Sequence, residues 1–208
     1  MLKILGRKTS SNVQKVLWAC DELGLDYDRE DIGGSFGMNR EAAYLALNPN
    51  GLVPTLIDDG FVLWESHAIV RYLGQKHAPN ALYPTELQQV ALANQWMDWC
   101  HTTVNPAIRA MFWGLVRTPP EERNLDAIAR SRDDTEVAMG MLNKHLSAAA
   151  FVAGDDFSMG DIPLGVMAYR WFEMDIERRE FPHLARWYQR LMERSSFAEH
   201  VMIGLGPA

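Results

Sequence analysis

The chain has 208 residues, of which 48% are hydrophobic and 23% charged, and its formal net charge is −7. That length suits two modest domains, and the composition is that of a globular protein rather than a disordered or fibrous one. The acidic balance argues against a nucleic-acid partner, no run of about 18 apolar residues offers a membrane span, and the opening MLKILGRKTSS is too briefly apolar for a secretion signal, so a cytoplasmic location is expected.

Residues 2–5 are a short apolar run, read as a strand. Polar residues 6–12 follow as a loop, and then Val13, Val16, Leu17, Cys20 and Leu23 recur at helical spacing up to Gly24. Residues 26–32 suit a second strand, Gly33, Gly34 and Gly37 mark an irregular loop, and a helical turn is expected over 41–47. The segment from Asn48 to Pro54 is a sharp break. Residues 55–57 and 61–64 flank Asp58-Asp59-Gly60, a hairpin signal because Asp and Gly tolerate the positive φ of tight turns. With a helix over 66–76 the order becomes β-α-β-α-β-β-α, a small α/β domain with a mixed sheet that resembles the thioredoxin fold. Beyond it helical periodicity fills about 86–114, 121–148, 161–173 and 183–194, broken at Pro119-Pro120, Gly154 and Pro182. The expected organisation is an α/β domain over 1–80 and an all-helical domain over 86–208.

Three features carry chemistry. Thr9-Ser10-Ser11-Asn12 lies where a strand ends and a helix begins, so hydroxyls and unpaired helical N–H groups share one volume that favours an anion. A thiol of pKa about 8.5 is largely protonated at pH 7, and lowering it to about 6.5 takes about 2.7 kcal/mol, within reach of a hydroxyl hydrogen bond plus a helix terminus. Any of these residues is also a candidate N-cap. Glu65-Ser66 opens a helix and offers one group for an ammonium and one for a carboxylate. Ser158-x-x-Asp161 before an apolar helical stretch is a capping signature, assigned to stability. The six histidines show no metal-binding spacing, so no metal is expected. Cys20 and Cys100 sit within apolar patterns and read as core, as do most of the seven tryptophans.

The pattern Ser10-x-x-x-x-Lys15-Val16, Gly24-Leu25-Asp26-Tyr27, Asn48-Pro49-x-Gly51-x-Val53-Pro54, Glu65-Ser66-x-Ala68-Ile69 and Tyr72-Leu73 resembles the cytosolic glutathione transferase superfamily, and within it the bacterial theta-like, serine-type members. The resemblance implies a glutathione transferase that presents the thiolate to a small hydrophobic or halogenated electrophile. It implies Ser10 as the catalytic hydroxyl, with Ser11 and Thr9 as alternatives, and Ser11, Asn12, Asn39, Leu52, Val53, Pro54, Glu65 and Ser66 around glutathione. A cis bond at Val53-Pro54 would expose the preceding backbone to that peptide. Leu52 stands where some classes carry Lys or Gln. The electrophile is expected between the domains against Arg109, Phe112 and Trp113, spaced to share a helix face, with Arg117 and Arg123 as alternatives for an anionic substrate. The implied partners are glutathione and the electrophile, and the implied assembly is a homodimer. Two other readings stay open: a glutathione-dependent reductase or dehalogenase, and a transferase-like binding protein with little turnover.

Overall fold

The computed structural model describes residues 1–78 and 82–206. The expected division near residue 80 and the last residues of the expected helical domain, 207–208, lie outside the described residues. The N-terminal part is a four-stranded sheet of β1 (Leu2–Leu5), β2 (Tyr27–Glu30), β3 (Thr55–Asp58) and β4 (Phe61–Trp64) in the order β2-β1-β3-β4. β1 and β2 run parallel and the other two pairs antiparallel, with Ile4 opposite Arg29 on one side and Leu56 on the other. The parallel pair requires a crossover, which α1 (Ser11–Glu22) supplies; α2 (Ala42–Leu47) and α3 (Ser66–Lys76) complete this half. The hairpin forms as its sequence dictates, with Asp59 at φ 47° and Gly60 at φ 93°. The second strand is shorter than expected, and Glu41 sits just outside α2 as its N-cap.

The rest is helical: α4 (Leu87–Trp99), α5 (Asn105–Phe112), α6 (Leu125–His145), α7 (Asp161–Glu173), α8 (Pro182–Met192) and α9 (Ser195–His200). α4 and α5 are one run joined by a wide π turn over Cys100–Val104, and a second such turn, Trp113–Arg117, extends it. Pro106 lacks the N–H that an ordinary ladder needs, and the wide turn before it, where the Asn105 N–H reaches the Cys100 carbonyl, absorbs the mismatch. The long helix therefore ends later than the periodicity suggested. α9 lay beyond any signal read from the sequence.

α1 ties the two halves together. Val13, Val16, Leu17 and Cys20 face the sheet and α3 in one apolar cluster, whereas Trp18 enters the larger helical core, its ring 4.8 Å from Phe197 and 5.5 Å from Phe157. At the helix's far end Glu22 accepts from Trp18 Nε1 at 2.8 Å and from Arg194 Nε and Nη2 at 2.8 and 2.5 Å. α1 is thus packed against both halves and anchored at its C-terminal end.

Candidate functional site

Three segments converge. The first is the loop between β1 and α1, fastened by Gly6 N–H to the Glu30 carbonyl at 2.8 Å and by Arg7 N–H to the Ile32 carbonyl at 3.1 Å. Ser10 is the N-cap residue in extended conformation (φ −79°, ψ 123°); its carbonyl accepts the first helical bond from Gln14 N–H, but its hydroxyl makes no capping bond. The helix therefore does not use that hydroxyl, which stands at the first N–H groups and the positive end of the α1 dipole.

The second segment runs from Asn48 to Thr55. Tyr44 Oη donates to the Leu52 carbonyl at 2.6 Å and meets Thr55 Oγ1 at 2.9 Å, while Asn48 Nδ2 donates to the same carbonyl at 2.8 Å and Asn48 Oδ1 receives Asn50 N–H at 3.1 Å. These bonds brace a chain reversal whose Val53-Pro54 peptide is cis. Asn39 Nδ2 donates to the Gly51 carbonyl at 2.7 Å, which makes it a brace for this loop.

The third segment is the start of α3. Glu65 has φ 73° and ψ 112°, a conformation that costs a residue with a Cβ about 1–3 kcal/mol and is concentrated at functional sites. Ser66 is buried, and its Oγ lies 3.4 Å from Asn12 Oδ1, which also accepts from Lys15 Nζ at 3.0 Å. Lys15 in turn lies 3.2 Å from His67 Nε2. Burial drags the Lys15 ammonium down to about 8, and burial beside Lys15 and Arg71 drags His67 to about 2, so the imidazole is neutral and accepts from the lysine.

Asn12, Leu52, Val53, Pro54, Glu65 and Ser66 come together, with Asn48 and Asn50, around one hollow of about 40 Å³. It offers a carboxylate, a hydroxyl at a helix start, three amides and the backbone around the cis bond. That is a set of partners for a small peptide-like molecule bearing both charges. The bracing by Tyr44 and Asn48 was not anticipated, although the Asn-Pro-Asn-Gly turn marked the place. Ser10, Ser11 and Asn39 do not line this hollow.

Thr9 lines a second, tighter hollow with Phe112, Arg117, Tyr169 and Arg170. Here the expected trio comes apart. Phe112 is buried against this hollow, but Arg109 and Trp113 are exposed around an open depression with Pro106 and Ala110. At 100° per residue positions 109 and 113 share a stripe, whereas 112 lies about 100° from 113 and faces inward. Arg123 is engaged elsewhere, its guanidinium donating to the carbonyls of Thr118 and Leu115 at 3.1 and 2.8 Å. Cys20 and Cys100 are buried free thiols pushed up to about 12 by desolvation, so neither is a ready nucleophile. Asp21 and, far along the chain, the consecutive Glu199 and His200 bring their side chains within 4.8 Å of one another at the opposite end of α1 from Ser10.

The comparisons fit this geometry. The family model for the glutathione S-transferase N-terminal domain matches residues 9–76, and that for the C-terminal domain matches residues 104–195. Glutathione S-transferase GstB of Escherichia coli is 42% identical over 98% of this chain and 99% of its own; glutathione S-transferase D7 of Drosophila melanogaster is 33% identical over 79% and 72%. The theta-class glutathione S-transferase of Xanthomonas axonopodis pv. citri, solved with glutathione bound, superposes with a TM-score of 0.95 at 48% identity, covering 98% of both chains.

Proposed function

Because the chain belongs to the glutathione S-transferase family, we propose that it holds glutathione across the Asn12–Pro54–Ser66 hollow and promotes attack of the glutathione thiolate on a small hydrophobic or halogenated electrophile. The observation that carries this reading is the meeting of that hollow with the N-terminus of α1, where the helix leaves the Ser10 hydroxyl unused. Ser10 O–H donates to the thiolate and the helix terminus shares its charge. Ser66 and the first N–H groups of α3 receive the γ-glutamyl carboxylate, and Glu65 takes the ammonium. Val53 backbone, with Leu52, Pro54 and Asn12 around it, takes the peptide body; Asn39 acts through the loop it braces, and Ser11 and Thr9 flank the sulfur. Phe112 forms the electrophile wall; Arg109 and Trp113, on the outward stripe of the helix, take no part in it. No metal enters this scheme. The organisation, an α/β glutathione-binding domain over 1–80 and a helical domain over 86–208, together with cytoplasmic location, a detoxifying role and a homodimeric state, belongs to the same proposal. No helix among the described residues is long and apolar enough to cross a membrane.

The test is titration calorimetry with glutathione, followed by turnover of chlorodinitrobenzene and haloacetates by the wild type and by Thr9→Ala, Ser10→Ala and Ser11→Ala. Glutathione binding at millimolar concentration and a loss of kcat/KM of about 10²-fold in Ser10→Ala alone are expected. Absence of binding removes the reading. Loss in a neighbouring variant moves the hydroxyl, and binding without turnover leaves a transferase-like binding protein.

A further inference from the structure

We infer that Lys15 is a positioning residue for glutathione: held as an ammonium between Asn12 and His67, it turns the Asn12 amide so that its N–H groups, beside the Ser66 hydroxyl, meet the γ-glutamyl carboxylate. This rests on the transferase reading and assigns a part in it to a residue away from the sulfur.

The Lys15 side chain is out of place as a structural element. The residue is 1% exposed, and among the described residues no carboxylate forms an ion pair with it. Lysines are almost never buried that deeply without a counter-charge. Lys3 and Lys76, with far more of the side chain in solvent, do have one each, in Glu30 and Asp58. The partners that Lys15 has are neutral: Asn12 Oδ1 at 3.0 Å and His67 Nε2 at 3.2 Å. A buried charge with neutral partners costs stability, whereas a methionine of similar length would pack there without that cost. The fold by itself therefore does not call for an ammonium at this position.

The chemistry of the partners fixes how they are turned. An ammonium only donates, so the Asn12 amide must face it with oxygen, and the neutral His67 ring must face it with an unprotonated nitrogen. A hydrogen bond between His67 and the backbone of Met97 engages the ring's other side. Asn12 Oδ1, taken by Lys15, also lies 3.4 Å from Ser66 Oγ, so the two Nδ2 hydrogens are what the amide keeps for a ligand. Asn12, Glu65 and Ser66 line both the hollow at the cis-proline loop and an adjoining open cavity of about 520 Å³, and Lys15 and His67 line the second of these. A carboxylate that meets the Asn12 and Ser66 donors thus enters the field of the uncompensated ammonium, with one amide joining the two charges. Without the ammonium the amide is free to present its oxygen instead, and the place repels the group it would hold.

Two ligands make the test: S-methylglutathione, and its analogue with 4-aminobutyrate in place of the γ-glutamyl residue. Both keep the amine and the rest of the peptide, and they differ by one carboxylate. Titration calorimetry on the wild type is expected to show about tenfold or more tighter binding of S-methylglutathione. In Lys15→Met that preference falls towards one, while the analogue binds about as well as before. Lys15→Arg, which keeps a donor-only cation, restores part of the preference, with circular dichroism and melting checking the fold of each variant. In turnover, Lys15→Met raises the KM for glutathione and leaves kcat in place. Equal losses on both ligands in Lys15→Met mark a merely structural lysine and overturn the inference, as does a preference left intact. A wild-type preference of one or below overturns it whether or not any variant folds. If neither glutathione nor S-methylglutathione binds the wild type at millimolar concentration, it is the transferase reading that fails.

Discussion

Replacing Asp161 with Ala removes the acceptor at the start of α7 on which three separate elements depend. Its carboxylate, fully buried, receives Val152 N–H at 3.1 Å, Ser158 N–H at 3.0 Å, Ser158 Oγ at 3.3 Å and, from α8, Trp187 Nε1 at 2.8 Å. Val152, Ser158 and Trp187 are themselves at most 2% exposed, so no solvent waits to take over their N–H groups. Each orphaned buried donor costs about 1–3 kcal/mol. The three N–H groups sum to several kcal/mol, offset in part because the variant no longer buries a carboxylate. A loss of about 3–5 kcal/mol is therefore expected, a large share of the roughly 5–15 kcal/mol that holds a folded protein together. The assay is equilibrium urea unfolding at fixed protein concentration, followed by tryptophan fluorescence, which the buried Trp18, Trp171 and Trp187 report. Asp161→Asn keeps the volume and one acceptor oxygen, and should fall between wild type and Asp161→Ala. Turnover per folded molecule stays unchanged, because the network lies apart from both hollows. A loss below about 1 kcal/mol for Asp161→Ala refutes the reasoning, since it means that these donors find other partners.

Two further outcomes follow from the same contacts. Lys15 titrates at about 8 in the folded chain against 10.5 unfolded; between those values the unfolded state binds more protons, so stability rises with pH across that window. Relative to Lys15→Met, the wild type should gain about 2–3 kcal/mol between pH 7.5 and 10 in urea titrations, and parallel curves exclude the effect. A Cβ at Gly6 would lie 2.6 Å from Val13 Cγ2 and 3.1 Å from Val53 Cβ, forcing α1 away from the cis-proline loop at a cost of about 1–3 kcal/mol. Gly6→Ala should therefore raise the KM for glutathione more than it lowers kcat; an unchanged KM with an unchanged melting temperature argues against the close fit.

Most elements were legible because their signals are local. The alternation around Asp59-Gly60, the spacing of Val13, Val16, Leu17 and Cys20, and the breaks at Pro119-Pro120 and Pro182 act over a few residues, where backbone conformation and one buried face decide the outcome. The hollow was legible in the same way, since Val53-Pro54 and Glu65-Ser66 belong to short motifs. The missing pieces were those in which distance along the chain says nothing. Phe112 was grouped with Arg109 and Trp113 by spacing, yet only packing against α7 decides which stripe of the helix faces inward, and it selected Phe112 and Arg170.

Ser158 and Asp161 show the division within one motif. The capping bond between them, Ser158 N–H to Asp161 at 3.0 Å, is written into four consecutive residues and forms because a helix start leaves N–H groups unpaired. The bonds from Val152 and from Trp187, 26 residues away, have no local cause. They exist because the folded chain buries those donors around the same carboxylate, and a buried donor must find an acceptor. In the same way local chemistry left the Ser10 hydroxyl out of the helix cap, and only the tertiary structure brought Arg117 and Arg170, 53 residues apart, to the same Phe112 ring beside Thr9.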